Sequence, residues 1–426
     1  MGEFAAAYAQ AAALAEKIRA DDDAFRQHAD WLIRFYFETA DIEAALADLD
    51  RASSRGVSLA MDADLEPLLR SFVKDHAGLL ARTRKLIVAA AASDAPASDA
   101  DVHLHGWLQL LYPTDNASRV WLTVTSETVR LAERGGLSTA LIPDYLAPLM
   151  TGKAPDRVLS FHTEGVGPGL THFKPADLPD YIWIDTHGYA GWASLAQKEI
   201  ASLELPPLPA ADEFFARHRQ EVLAGNVSKY AQPDANAAAD LPEQYVFVAM
   251  QIATDRTQRL ARIPMLTMLD IAIARFRDTP IKVVVKQHPL CKSKQVAQKL
   301  AYLAGRGDIL LRNDSIHRLI DGSLAVVTIN SGVGSEAILH LKPIYLFGGA
   351  DYACVTHQIR SAEHFNEATS PIQLPVPAET MKRFLCYYRQ SYLVDITDKD
   401  RLQAEIGRRV LGLDEALEPP TGSARA

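Results

Sequence analysis

The chain has 426 residues but only three cysteines, Cys291, Cys354 and Cys386. They are scattered with no paired interval, so neither a zinc site nor a disulfide framework is indicated. An excess of basic charge is also missing. Against 44 Lys and Arg stand 53 Asp and Glu, a formal net charge of -9. That removes a chain-wide basic field for nucleic acid, although not a local basic cleft. No apolar run approaches the ~20 residues needed to span a bilayer. The N-terminus carries no basic-then-apolar signal. The expectation is a cytoplasmic protein, with peripheral attachment to a membrane or a complex left open. There is no G-x-x-x-x-G-K-[ST] loop, which argues against a P-loop nucleotide hydrolase. The G-x-G-x-x-G dinucleotide fingerprint and the G-x-S-x-G nucleophile elbow are absent too.

What is present is a globular composition, 48% hydrophobic, in a chain long enough for two or three domains. Residues 1–95 read as helical, with apolar residues at helical spacing in Leu14, Ile18, Trp31, Leu32, Phe35 and Phe37. Residues 96–235 carry short apolar runs (Val120–Val124, Thr139–Ile142, Val158–Phe161, Tyr181–Ile184) that alternate with polar or helical pieces, which predicts a first α/β sheet. The stretch Gln232–Glu243 has linker chemistry and marks the expected boundary. Residues 236–385 give a cleaner βαβαβ succession, with strands at Tyr245–Met250, Ile281–Lys286, Ile309–Leu311, Val326–Ile329 and Ile344–Phe347. Between the third and fourth lies a short helix capped by Asp314. Such a succession predicts a doubly wound sheet. Residues 386–426 are expected to be helices crossing back, then a loose tail from Glu415. The fold class expected is α/β, with two Rossmann-type domains facing across a cleft and an extra helical N-terminal segment.

Open parallel sheets bind ligands beyond the carboxyl ends of their strands. The residues that follow the proposed strands of the second half are Gln251 and Asp255, His288 and Pro289, Asn330, Ser331 and Gly332, and then Gly348 and Gly349. They should line one edge of one sheet. The turn Asn330-Ser331-Gly332 opens a helix that carries Glu336 one turn in. Its free N–H groups suit an anion, Gly332 and Gly334 would let a ligand near the backbone, and Glu336 would reach ribose hydroxyls. An ordinary βα turn with a Ser cap accounts for the same residues. Pro289 fixes the chain past its strand and aims the His288 imidazole along the edge, where it can donate to a phosphate oxygen. A surface histidine in a loop is the plain alternative. Lys286 and Lys292 add local positive charge.

In the first half, Asp185 ends a strand and is followed by the tight loop Thr186-His187-Gly188-Tyr189-Ala190-Gly191-Trp192. Gly188 shapes that loop, and Tyr189 and Trp192 offer aromatic surfaces for sugar rings. A carboxylate beside an anomeric carbon can act as nucleophile, base or electrostatic stabiliser, although a strand-ending Asp also caps helices. Glu164, after another strand, is a second acid or base candidate that helix capping explains nearly as well.

A two-Rossmann glycosyltransferase (the GT-B type) fits a nucleotide edge that lacks the common fingerprints. Several segments resemble the bacterial capsule-polysaccharide and lipopolysaccharide β-Kdo transferases of the KpsC/LipB type. They are I-D-T-H-G-Y-A-G-W-A-S (Ile184–Ser194), V-A-M-Q-I-A-T-D (Val248–Asp255), K-Q-H-P (Lys286–Pro289), T-I-N-S-G-V-G-S-E-A-I (Thr328–Ile338) and K-P-I-Y-L-F-G (Lys342–Gly348). The resemblance implies a GT-B fold, CMP-Kdo as donor, a glycan or glycolipid acceptor, no cofactor and no required metal. It implies a retaining reaction with Asp185 as nucleophile. His288 and Pro289 would hold the phosphate of CMP, with Asn330, Ser331, Gly332 and Glu336 lining the nucleotide pocket. Gln251, Asp255, Gly188, Tyr189 and Trp192 would line the substrate, and Glu164 would assist as acid or base. Two departures stand out: the helical first ninety or so residues, and Ala190 and Ala193 where the family would have serines. Two other readings share these residues. One is a CDP-polyol phosphotransferase of the teichoic-acid polymerase kind, and the other a non-catalytic sugar-nucleotide-binding subunit of a capsule assembly complex.

Overall fold

The computed structural model describes residues 2–152, 155–234 and 240–413. Its packing divides them into two compact units. The first holds the described residues of Met1–Pro175, Ile184–Thr186 and Asp395–Ala426, and the second those of Ala176–Trp183 and His187–Val394. The expected boundary at 235/236 and the expected tail from Glu415 lie outside the described residues.

The first unit opens with α1 (Gly2–Ala20), α2 (Asp22–Glu38), α3 (Ile42–Ser54), α4 (Glu66–Asp75) and α5 (Ala77–Ala91), which agrees with the helical N-terminal reading. Asp21 starts α2 by accepting from the N–H groups of Asp23 at 2.9 Å and Ala24 at 2.8 Å, satisfying donors the helix itself cannot. The apolar face Phe25, Ala29, Leu32, Ile33, Phe37 is buried. Burying a side chain such as Leu32 is worth ~1.5–3 kcal/mol.

There follow β1 (Val102–Gly106), α6 (Asn116–Arg134), β2 (Thr139–Pro143), β3 (Arg157–Phe161), β4 (Leu170–Pro175) and β5 (Tyr181–Asp185). The run Val120–Val124 is therefore a correction: it is helix, not strand. Asp115 caps α6 through the N–H of Ala117 at 2.9 Å. Because α6 buries residues on every face, Trp121, Leu122 and Ser126 among them, its apolar run is continuous and mimics a buried strand. Gly106 ends β1 where it must, since a Cβ there would lie 2.3 Å from Trp121 Nε1. β1 pairs in parallel with β2 and β3, and β3 with β4.

The second unit contains α7 (Leu208–Ala224), β6 (Tyr245–Ala249), α8 (Met265–Phe276), β7 (Lys282–Lys286), α9 (Lys294–Gly305), β8 (Leu310–Leu311), α10 (Ile316–Asp321), β9 (Ala325–Thr328), α11 (Val333–Leu339), β10 (Ile344–Leu346), β11 (His357–Gln358), α12 (Ala362–Ala368) and α13 (Ala378–Tyr387). The chain then passes through β12 (Val394–Asp395) to α14 (Lys399–Ile406), which packs on α6 in the first unit. Asp314 does not cap α10. Ser315 holds that position, and Asp314 instead accepts from Arg318 Nη1 at 2.7 Å.

Both sheets are six-stranded, ordered β12-β5-β4-β3-β1-β2 and β11-β10-β9-β6-β7-β8. In the second sheet every pairing given is parallel, with Val248 opposite Val285 and Val327, and Val327 opposite Tyr345. Its faces alternate with the strand period of two. Val246, Val248, Val283, Val285 and Val327 pack with Met268, Leu269 and Leu300 of α8 and α9. Tyr245, Phe247, Val284, Val326 and Ile344 pack with Phe214, Ala337 and Phe384 of α7, α11 and α13. Helices on both faces of parallel sheets, preceded by an all-helical segment, are the expected α/β class. Among the described residues no helix is long and apolar enough to cross a membrane.

Candidate functional site

The order β10-β9-β6-β7, all parallel, carries the carboxyl ends of these strands to one edge. Gln251, His288, Asn330 and Gly348 therefore share that edge, as the spacing predicted. The Gln251 amide donates to Asn330 Oδ1 at 2.5 Å, and Asn330 Nδ2 donates to the Thr257 carbonyl at 2.9 Å. Asp255 starts the short helix Arg256–Leu260 by accepting from Thr257 N–H and Oγ1, at 2.8 and 2.7 Å. These residues fix the β6 and β9 loops to each other. Gln251 Oε1 is buried with no hydrogen-bond partner, a state that costs ~1–3 kcal/mol unless a bound group satisfies it.

The turn after β9 differs from expectation. Gly332 and Gly334 do not open the backbone to a ligand; the protein's own side chains fill the space. A Cβ on Gly334 would lie 2.3 Å from the Tyr352 hydroxyl, and one on Gly332 would lie 3.0 Å from Asp177 Cβ. Tyr352 donates to the Ser331 carbonyl at 2.5 Å, and Ser331 Oγ accepts from the Val333 N–H at 3.3 Å. Ser335 donates to Asp177, which in turn forms a doubly hydrogen-bonded, fully buried pair with Arg389 at 2.6 Å on both arms. Burial works to raise the Asp177 carboxyl, but the guanidinium and its hydrogen bonds outweigh it and hold the group below the usual range. Asp351 is buried as well, and accepts from Trp183 Nε1 at 2.7 Å and from the Tyr388 hydroxyl at 2.6 Å. Burial pushes its carboxyl up to about 6.

Glu336 does not reach out of the turn. It is 3% exposed, and Ser228 Oγ donates to its Oε1 at 2.6 Å. Burial pushes its carboxyl up to about 8, so at neutral pH it is the uncharged acid, able to donate as well as accept. Its Oε2 is buried with no hydrogen-bond partner.

His288 sits half-buried after β7. Its Nδ1 accepts the Leu290 N–H at 3.1 Å, which leaves the ring proton on Nε2. Burial, helped by repulsion from Lys229, holds the imidazole down at about 4. At neutral pH it is a neutral donor, not a cation. Lys286 is buried, and its ammonium donates to Gln232 Oε1 at 3.1 Å and the Asp314 carbonyl at 2.7 Å. Its role is internal, contrary to the expectation of free positive charge at the edge.

Both contacts lead to a segment that the sequence reading missed. Residues 226–232 follow α7 and run across this edge. Asn226 takes the left-handed conformation, φ 48°, and its Oδ1 accepts from Ser315 Oγ at 2.5 Å. The Val227 carbonyl meets His317 Nε2 at 2.7 Å. Ser228 binds Glu336, and Tyr230 sets its ring edge-to-face on His288 with centroids 5.1 Å apart. Gln232 accepts from the Ile316 N–H at 3.0 Å as well as from Lys286. This strap begins with N-V-S-K-Y; an asparagine right after the Gly225 helix end was the available signal.

In the loop after β5, Gly188 has φ 142°, in the region that favours glycine. Tyr189 is only 1% exposed, packed against Trp183 and Trp192, so its ring is core and not an open sugar platform. Trp192 is half-buried. Gly191 allows the backbone of Gly349 to approach; a Cβ there would lie 2.4 Å from the Gly349 carbonyl oxygen. Asp185, at the carboxyl end of β5, is buried, and Glu164, in the loop after β3, is half-buried; both belong to the first unit. Pro289 is exposed.

Residues 216–383 match the family described as "Capsule polysaccharide biosynthesis protein". That stretch runs from α7 into α13 and holds the strap and the whole carboxyl edge of the second sheet. The resemblance to a capsule-polysaccharide family is borne out over it. No curated protein matches the chain. Among solved structures, the chain is similar to the beta Kdo 2,4 transferase of Thermosulfurimonas dismutans KpsC, at 14% identity over 67% of this chain and 90% of that one, with a TM-score of 0.43. It is similar to the beta Kdo 2,7 transferase of the same KpsC, at 13% identity over 72% and 99%, with a TM-score of 0.42. A putative UDP-N-acetylglucosamine 2-epimerase from Listeria monocytogenes is 13% identical over 77% and 100%, with a TM-score of 0.33. At such scores the fold rests on the chain's own sheets and not on these likenesses.

Proposed function

We propose that the chain is a glycosyltransferase of bacterial surface-polysaccharide synthesis that moves Kdo from CMP-Kdo to a glycan or glycolipid acceptor with retention. The observation that carries this reading is that the capsule-polysaccharide match, residues 216–383, contains the strand-end edge with its Gln251, His288, Asn330 and Glu336. Two buried oxygens there, Gln251 Oε1 and Glu336 Oε2, have no hydrogen-bond partner, which suits a ligand rich in hydroxyl and amine groups. A neutral His288 donates from Nε2 to a phosphate oxygen. Asp185 is the proposed nucleophile: its carboxylate attacks the anomeric carbon, CMP departs, and the acceptor hydroxyl then displaces the carboxylate. No metal or cofactor enters this proposal.

The test is CMP release from CMP-Kdo, with CDP-glycerol as the competing donor. The expected result is turnover of CMP-Kdo alone, and a loss of ~10³-fold or more in Asp185→Ala with CMP affinity kept. Turnover of CDP-glycerol instead would point to a polyol phosphotransferase. Binding without release, with any acceptor, would point to a non-catalytic subunit. Unchanged turnover in Asp185→Ala would remove the nucleophile assignment.

A further inference from the structure

A departing nucleotide phosphate needs a cation near it, and the residues expected to provide one do not. Lys286 spends its ammonium on Gln232 and Asp314, and the His288 ring is neutral. Arg256 and Arg259 after β6 and Lys292 after β7 are exposed, where a charge pair is screened and weak. The strap supplies an alternative. Resting on the donor reading above, we propose that Lys229 is the cation that binds the donor's phosphate.

The placement follows from its two neighbours in the chain. Ser228 is tied to Glu336 on α11 at 2.6 Å, and Tyr230 lies against His288 after β7 with ring centroids 5.1 Å apart. Lys229 is held between them, over the gap between the β7 and β9 ends. The strap cannot slide, because Asn226 and Gln232 are pinned on either side by Ser315, Ile316 and Lys286. Burial lowers the Lys229 ammonium, while Asp177, Asp255 and Glu336 act to raise it. Of those three, Asp177 is already matched by Arg389, Asp255 caps a helical turn, and Glu336 is uncharged at neutral pH. The ammonium therefore keeps attraction to spare for an incoming anion, in a setting where screening by water is reduced. A lysine suits this role as a compact point charge on a phosphate. His288 Nε2–H then acts as a neutral second donor from the opposite side of the gap.

The experiment compares wild type, Lys229→Met and Lys229→Arg by calorimetry with CMP, cytidine and inorganic phosphate. Expected are a loss of at least tenfold in CMP and phosphate affinity in Lys229→Met, unchanged cytidine affinity, and recovery of most of the loss in Lys229→Arg. Equal CMP affinity in wild type and Lys229→Met would overturn the proposal and leave the donor reading standing. Phosphate binding that needs Lys229, without any nucleotide binding, would keep the proposal and defeat the donor reading. Wild type that binds neither defeats both. Should Lys229→Met fail to fold, lysine methylation of the wild-type protein, mapped by mass spectrometry with and without inorganic phosphate, decides the matter. Protection of Lys229 supports the assignment, and its equal modification in both samples overturns it.

Discussion

The turn after β9 and the strap 226–232 exchange roles between sequence and structure. The turn has the glycines, the serine and the helix start of an anion site, yet its space is taken by Tyr352 and Asp177. The strap has the look of a chain leaving a helix for a linker, yet it reaches α10, α11 and the His288 loop through five anchored residues, Asn226, Val227, Ser228, Tyr230 and Gln232. Glycine in a βα turn thus has two physical meanings. It admits a ligand's atoms or it admits the protein's own, and only the neighbours distinguish them. Glu336 belongs to both regions, since it rides on the turn's helix and bonds to the strap's serine.

Glu336 gives the largest expected effect. Its folded carboxyl titrates at about 8 against an ordinary 4.5, because of burial. Folding therefore takes up a proton between those values. The stabilising protonated state is fully present below pH 4.5 and is lost as pH rises through 8, at up to ~1.4 kcal/mol per pH unit. Glu336→Gln removes this dependence while it keeps a group that Ser228 can bond. Urea denaturation at pH 5, 6.5 and 8 should show the wild-type stability falling across the series, with a flatter line for the variant. Parallel lines would mean that Glu336 is charged in the native state and faces an open site.

Next in size is Gly334→Ala. If the glycine serves Tyr352, the added methyl collides with that buried ring at 2.3–2.5 Å, and overpacking costs ~1–3 kcal/mol. If it serves a ligand, stability is unchanged and only nucleotide affinity falls. Thermal melting with and without CMP separates the two: a lower melting temperature without ligand supports the packed turn.

How much of this was legible follows the physics of each signal. The second sheet was readable because its strands are buried on both faces and so carry runs such as Val283-Val284-Val285 between capped helices. The same property misled at Val120–Val124, where a helix buried all round carries an equally continuous run. The residues at the strand ends were legible because parallel topology alone places them. Their states were not: the neutral His288 and Glu336, and the internal Lys286, depend on what covers them, and the cover is the strap. Asp177 and Arg389, 212 residues apart, have no local signature at all, since a buried ion pair is a property of the fold.

The smallest effect tests that cover directly. Tyr230 places its ring edge-to-face on His288 with centroids 5.1 Å apart, a contact worth ~0.5–1.5 kcal/mol. Burial is the leading reason that the imidazole titrates at about 4, well under its ordinary 6.5. Tyr230→Ala admits water to the ring and should lift that value toward 6.5. The sign for stability follows. A depressed histidine means that the unfolded chain binds a proton first, so the native state weakens as pH falls from 6.5 toward 4. The variant should lose part of that acid penalty even though it is slightly less stable at pH 7. Histidine NMR titration between pH 5 and 7 reads this at one ring: silent in wild type, moving in Tyr230→Ala. A ring that stays silent in both would mean that the loop after β7 alone keeps His288 neutral. The strap would then be a neighbour of the edge and not a part of it.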